Sequence, residues 1–366
     1  MTDTPIDISI TGGGSTAKAA ALALSHVGFS VRLADEEATT PAALAPSVLA
    51  LAPAAHAMLE RLDVKMPPAA PVRAMRIWHG RPPPDATGDG DATLAIDPPT
   101  DDAPLAHIVE TAALASAFRE AVAAQPHIVS APADEGAPAL TIDTSAGDGA
   151  SLRHDYKHAA LVAHVRGSAP HANIARQIFL PSGPLGLLPT MGDDFALIWS
   201  LPTARAQALA RCDDDIFTHE LTAATNGRWG ALAATTARIT LPLSLRLAEN
   251  VTANRRVLLG ATAIHPLAGQ GFNLALRDAA TLAEVLDDAA HLGRDIGQAD
   301  VLDAYQKARR PDNALTAAFT HALFATQGRG LAAGGALLRR IARAADLARA
   351  QADHGLNHAP RLMERA

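Results

Sequence analysis

The chain has 366 residues, 48% of them hydrophobic and 19% charged, enough to bury one large core or two connected ones. Its formal net charge of −7 and pI near 6.1 argue against a nucleic-acid partner held by overall basic charge. The single cysteine, Cys212, excludes an internal disulfide and a metal cage built from cysteines.

Residues 1–7 are polar and acidic and lack the basic-then-apolar order of a secretory signal. The apolar stretches stop short of the roughly 20 residues that span a bilayer. The expected location is therefore cytoplasmic, either soluble or peripheral on the inner face of the membrane. Alanine is abundant and aromatic residues make up 4%, which blunts hydrophobic periodicity because alanine suits either face of a helix.

Residues 6–11 form a short apolar run that breaks into Gly12-Gly13-Gly14. A helix over residues 15–26 follows, ended by Gly28, and residues 29–34 form a second strand ending at Asp35. This β-α-β order predicts a parallel sheet. Gly12-x-Gly14-x-x-Ala17 lies between strand and helix, as a dinucleotide-binding turn requires. The first glycine permits the turn and the second admits a pyrophosphate to the backbone beside Ser15. A small residue at Ala17 lets helix and strand pack closely. The N–H groups and dipole of the helix start favour a phosphate. Asp35 is placed to accept from a ribose hydroxyl. A glycine-rich turn in another kind of α/β protein has the same local pattern. Lys18 opposes the helix dipole unless it faces a phosphate or solvent.

Residues 46–62 read as a helix, 79–104 as an irregular Pro-, Gly- and Asp-rich excursion, and 110–124 as an amphipathic helix with Leu114 and Phe118 on one face. Residues 159–165, 174–180, 185–189 and 195–201 read as strands of an antiparallel sheet inserted between halves of the α/β domain. Residues 204–225 read as helix, 238–248 and 255–259 as strand. Helix follows over 272–290, over 301–324 despite Pro311, and over 335–352.

Residues 255–278 read RRVLLGATAIHPLAGQGFNLALRD. A strand reaches Gly260, a loop carries His265-Pro266, and Gly269-Gln270-Gly271 opens a second helix whose N–H groups can face a ligand. The run HPLAGQGFNLALRD resembles the last FAD motif of the FAD-dependent aromatic hydroxylases, in the wording of their ubiquinone-biosynthesis branch (the UbiH, UbiF and VisC type). Residues 177–185 (QIFLPSGPL), 196–200 (ALIWS) and 241–245 (LPLSL) are similar to the same branch. So are Val109-Glu110 and Tyr305 with Arg309, Arg310, Asp312 and Asn313, so the resemblance runs along nearly the whole chain.

The resemblance implies a Rossmann-like FAD-binding domain over residues 1–70, 105–157 and 250–330. It also implies a substrate domain with an antiparallel sheet over 71–104 and 158–249, and a C-terminal helix and tail over 331–366. Reduced FAD, supplied with electrons by NAD(P)H or another donor, would activate O₂ and deliver one oxygen atom to a phenol carrying a polyprenyl tail. Since the cofactor carries the difficult step, no Ser-His-Asp or metal constellation is expected, and no metal site. Carried over by position, Gly12, Gly14, Ser15 and Ala17 would hold the pyrophosphate and Asp35 the adenosine ribose. Pro266, Gly269, Gln270, Gly271 and Asn273 would line the flavin. His265 would touch substrate, or instead be a capping or buried, hydrogen-bonded histidine. For Pro266 and Asn273, turn geometry is the competing role.

Three segments depart from the family pattern. The family's last motif begins Gly-Asp or Gly-Asn, whereas this chain has Gly260-Ala261 and a shorter loop to Pro266. A methyl group cannot accept the hydrogen bond of a ribityl hydroxyl, worth about 0.5–1.5 kcal/mol. The middle motif is reduced to residues 146–153 (AGDGASLR), which reads equally as an Asp-Gly hairpin turn. The arginine that commonly follows the second strand has no counterpart in residues 36–43. Two readings stay open. One is a divergent, active hydroxylase. The other is an FAD-deficient homologue that binds a lipid intermediate or serves as an accessory to other ubiquinone-biosynthesis proteins.

In residues 335–352, Leu337, Leu338, Ile341, Ala345 and Leu347 share an apolar face, with Arg339, Arg340, Arg343 and Arg349 largely opposite. Such a helix lies on an anionic membrane or packs on its own domain with a solvated arginine face.

Overall fold

Ile8–Thr11 runs inside a six-stranded sheet of the computed structural model, which describes residues 6–34, 47–84, 90–98, 103–132, 137–145, 150–327 and 359–364. The strand order is Thr252–Ala253, Arg256–Leu258, Leu140–Asp143, Ile8–Thr11, Val31–Leu33, Ile128–Ser130. Every pairing is parallel except the edge pair of Thr252–Ala253 with Arg256–Leu258. Alternation places Ile8, Ile10, Val31, Leu33, Leu140 and Ile142 on one face, where they enter a core shared with the Ser15–His26 helix. Gly28, at φ +97°, turns the chain from that helix into the second strand, as only a residue without Cβ does freely. Leu114 and Phe118 of the Thr111–Ala124 helix are both fully buried in this core.

The middle of the chain builds an eight-stranded sheet. Its order is Ala233–Ala234, Ala150–Arg166, Phe195–Pro202, Gly183–Pro189, Ile174–Leu180, Ala74–His79, Leu94–Ile96, and Ile239–Ala248 also pairs with Ala150–Arg166. It is antiparallel except where Ile174–Leu180 meets Ala74–His79. One face packs Leu161, Leu197 and Trp199 against Phe217 and Leu221 of the Asp214–Ala224 helix. The other carries Ala160, Val162 and Leu243, and packs against Ala317 of the Ala299–Ala325 helix. The inserted antiparallel sheet is thus present.

Several local expectations change. Residues 46–62 are not one helix: Val48–Leu51 is a strand and only Pro53–Arg61 is helical. The strand pairs with Ala106–Glu110, which also pairs with Ala69–Val72 in a small antiparallel sheet. Within residues 79–104, Leu94–Ile96 is not irregular but pairs with residues 75–77. Residues 204–225 divide into Thr203–Arg211 and Asp214–Ala224. Asp35, residues 36–43, residues 146–149 and residues 335–352 lie outside the described residues.

Candidate functional site

The first glycine turn is held from below. Gly12 has φ +103°, and a Cβ there would lie 2.3 Å from Thr144 Oγ1, so a side chain here is strained and must displace Thr144. Thr144 Oγ1 in turn donates to the Thr11 carbonyl at 2.9 Å. Gly14 is the N-cap of the Ser15–His26 helix, and a Cβ there would meet open space. No side chain caps this helix and its first turn has no acid, so its N–H groups and dipole are available to an anion. Ala17 is fully buried and Ser15 half-buried. The Lys18 ammonium donates to the Gly13 carbonyl, which draws its charge onto the glycine turn.

The second glycine turn approaches the same place. Gly260, at φ +70°, passes between the two helices: a Cβ there would lie 3.1 Å from Thr16 Cγ2 and 3.7 Å from the Ala275 Cβ. The loop after it is tied to the large sheet by reciprocal backbone hydrogen bonds of 2.9 Å between Ala263 and Arg246. Pro266 starts a 3₁₀ turn that ends at Gly269, left-handed at φ +60°. A Cβ on Gly269 would lie 2.8 Å from the Ala50 Cβ, so the strand of Val48–Leu51 supports the turn from behind. Gln270 occupies the N-cap position of the Gly271–His291 helix, which has no side-chain cap and no acid in its first turn. Gly271 is exposed, with open space where a Cβ would stand.

Asn273 does not face outward with them. It is 1% exposed, and its side chain is committed to backbone: Oδ1 accepts from Ala52 N–H at 2.9 Å, and Nδ2 donates to the Ala50 and Gly269 carbonyls at 2.8 and 3.0 Å. It fastens the turn to the small sheet. His265 is also 1% exposed; its Nδ1 accepts from Leu267 N–H at 3.2 Å and its Nε2 lies 3.4 Å from Ser200 Oγ. Burial, with a smaller contribution from His158, pushes its pKa down to about 3, so it is neutral. Its ring packs against Tyr156 and Phe324, at centroid distances of 5.2 and 4.6 Å.

Sequence reasoning missed this side of the site. Tyr156 donates to or accepts from His321 Nδ1 at 3.3 Å, and His154 packs against both rings. The alternation of the Ala150–Arg166 strand was the available signal, but only the fold brings the Ala299–Ala325 helix across it. Also missed was a buried charge network behind the second glycine turn. Arg309 Nε donates to Asp278 Oδ1 at 2.7 Å, and its Nη2 reaches Asp312 Oδ2 at 2.8 Å and Asn313 Oδ1 at 3.0 Å. Fully buried Arg277 adds a second cation 3.6 Å from Asp312. The Asp278 charge and, more strongly, burial hold Tyr305 well above the usual phenol range. The network locks the Gly271–His291 helix, and so the turn at its start, to the Ala299–Ala325 helix.

Residues 162–320 match the family described as FAD binding domain. Ubiquinone hydroxylase UbiL of Rhodospirillum rubrum is 36% identical over 170 residues, covering 46% of this chain and 40% of that protein. The human mitochondrial ubiquinone biosynthesis monooxygenase COQ6 is 30% identical over 205 residues, covering 46% and 44%. Over this part of its length the chain is similar to proteins named as ubiquinone-biosynthesis hydroxylases and monooxygenases. The chain spans only about two fifths of the length of the curated relatives it matches. The fold agrees over a longer span. PqsL of Pseudomonas aeruginosa, a probable FAD-dependent monooxygenase, superposes with a TM-score of 0.72 at 20% identity over 91% of this chain and 99% of its own. The p-nitrophenol 4-monooxygenase PnpA of Pseudomonas putida gives 0.69 at 16% identity over 96% and 99%.

The residues present fit the phosphate part of FAD: Gly260 packs against Thr16 and Ala275 of two helices that start uncapped, and both Gly14 and Gly271 leave room for a ligand. At Ala261 the fit is poorer, because no side-chain acceptor stands there.

Proposed function

We propose that the protein is an FAD-dependent monooxygenase that hydroxylates the aromatic ring of a polyprenylated phenol in ubiquinone biosynthesis. The observation that carries this reading is the packing of Gly260 against Thr16 and Ala275, in the first two turns of helices that start uncapped at Ser15 and Gly271. Gly12, Gly14, Ser15 and Ala17 would hold the pyrophosphate and Asp35 the adenosine ribose. Pro266, Gly269, Gln270 and Gly271 would border the flavin ring, and Asn273 would keep their turn in shape. Flavin, reduced by NAD(P)H, supplies the oxygen-transfer chemistry when bound. The chain's own residues bind and orient it, and the buried rings of His265 and Tyr156 keep water from the sheet side of the turn. The division into an FAD-binding domain (1–70, 105–157, 250–330), a substrate domain (71–104, 158–249) and a C-terminal tail (331–366) belongs to the same proposal. So does peripheral membrane contact through residues 335–352.

One observation favours a second reading. Ala261 offers no acceptor, so the chain would be an FAD-deficient homologue that binds a lipid intermediate or assists other proteins of the pathway. The absorbance of the purified protein separates the two. Yellow protein that releases FAD on denaturation supports the enzyme. Colourless protein that FAD titration fails to saturate overturns it, and copurified polyprenyl phenol without flavin supports the binder.

A further inference from the structure

The second half of the Ala299–Ala325 helix is turned inside out. Its inward side carries Arg309, Asp312, Asn313, Thr316 and Thr320, all buried. Its outward stripe, at alternating spacings of four and three residues, is Pro311, Leu315, Ala318 and Ala322, with Phe319 beside it. Leu315 is 45% exposed and Phe319 49%, one helical turn apart. The other large exposed apolar side chains among the described residues, such as Val129, Met191, Ile216 and Leu292, stand on separate elements. No charged residue follows Asp312 on this helix. A helix that buries its polar side and presents an apolar one meets an apolar phase outside.

We propose that this stripe docks on an anionic lipid surface, with Leu315 and Phe319 entering the acyl boundary. The charge distribution selects that occupant. Lys307 and Arg310, both exposed, stand at the start of the same stripe, Arg310 at 4.0 Å from exposed Glu249, and by sequence residues 328–358 hold five arginines against two aspartates. Along the sequence, residues 307–358 carry eight Lys and Arg against three Asp, in a chain whose formal net charge is −7. An anionic headgroup layer attracts these cations, while the apolar side chains add hydrophobic transfer. A protein partner or a second copy of the chain would use the apolar stripe but would not require an anionic lipid. The proposal is independent of flavin binding, so neither reading falls with the other.

The test is cosedimentation of the full chain with vesicles of phosphatidylcholine, with and without phosphatidylglycerol. The chain should bind the mixed vesicles and lose that binding as salt is raised. The double variant Leu315→Asn/Phe319→Asn should bind about tenfold more weakly or worse, from the lost transfer of two half-exposed side chains. Its circular dichroism and thermal midpoint should match the parent, and Ile216→Asn on a different helix should leave vesicle binding unchanged. Failure of the parent chain to bind, or equal binding by the double variant, would overturn the proposal. A double variant that melts earlier would mean that the chain covers its own stripe, and one that converts a dimer to a monomer in light scattering would mean that a second copy does. Either result also overturns the lipid assignment.

Discussion

Asn273 accepts the backbone N–H of Ala52 at 2.9 Å, joining positions 221 residues apart. This bond fixes the second glycine turn to a strand that comes from near the other end of the chain. Asn273→Ala removes it together with two donated bonds and leaves the buried Ala52 N–H without that acceptor. A loss of about 2–3 kcal/mol in urea denaturation is expected. FAD should also bind more weakly in a fluorescence titration, because the turn is no longer held.

The two outer glycines of the first turn should separate by their surroundings. Gly12→Ala places a Cβ 2.3 Å from Thr144 Oγ1 at a φ of +103°, and should destabilise the fold by about 1–3 kcal/mol. Gly14→Ala meets open space and should leave stability nearly unchanged while weakening FAD binding. Calorimetric melting and FAD titration of both variants check the contrast; equal melting temperatures for the two would contradict the geometry.

Restoring an acceptor should strengthen the cofactor site. Ala261→Asp places a carboxylate where the family resemblance carries one, and about a 2- to 10-fold lower Kd for FAD is expected. The readout is flavin fluorescence quenching, and unchanged affinity would mean that the shortened loop holds position 261 away from the ligand.

Stability should fall in mild acid. Burial lowers His265 to about 3, and burial with His56 nearby lowers His107 to about 4, both from an ordinary value of 6.5. The unfolded chain therefore binds more protons than the fold between those values and 6.5. The stability these neutral histidines contribute is complete above 6.5 and is lost as pH falls toward 4 and then 3. Denaturation midpoints at about pH 7 and about pH 4.5 test the direction. His265→Gln should flatten the slope.

The buried charges resist single substitution. Asp278→Asn leaves buried Arg309 with Asp312 as the remaining carboxylate of its two, one that Arg277 also shares, and a destabilisation of about 3–5 kcal/mol is expected in chemical denaturation. Asp278→Leu combined with Arg309→Met should be less damaging than either alone, since no uncompensated charge of that pair remains.

The sequence by itself determined the β-α-β order, both glycine turns, five of the eight strands of the inserted sheet and the two long helices that follow it. Each of these is written locally: alternation for strands, glycines where φ is positive, and a break of pattern at each turn. Tertiary structure decided what distant residues do to one another. Residues 46–62 look helical because alanine suits a helix, yet Val48–Leu51 is a strand because Ala106–Glu110 supplies its hydrogen bonds. Asn273, a flavin contact by position, spends its side chain on the backbone of that strand. His265 resists protonation in mild acid because the fold buries it, beside Tyr156, Phe324 and Ser200 and with His158 near. Likewise Arg309, Asp312 and Asp278 could be recognised along the chain, but their desolvation and pairing exist only once two helices close over them. Local propensity acts over a few residues, whereas burial and partner choice depend on chain segments hundreds of residues apart.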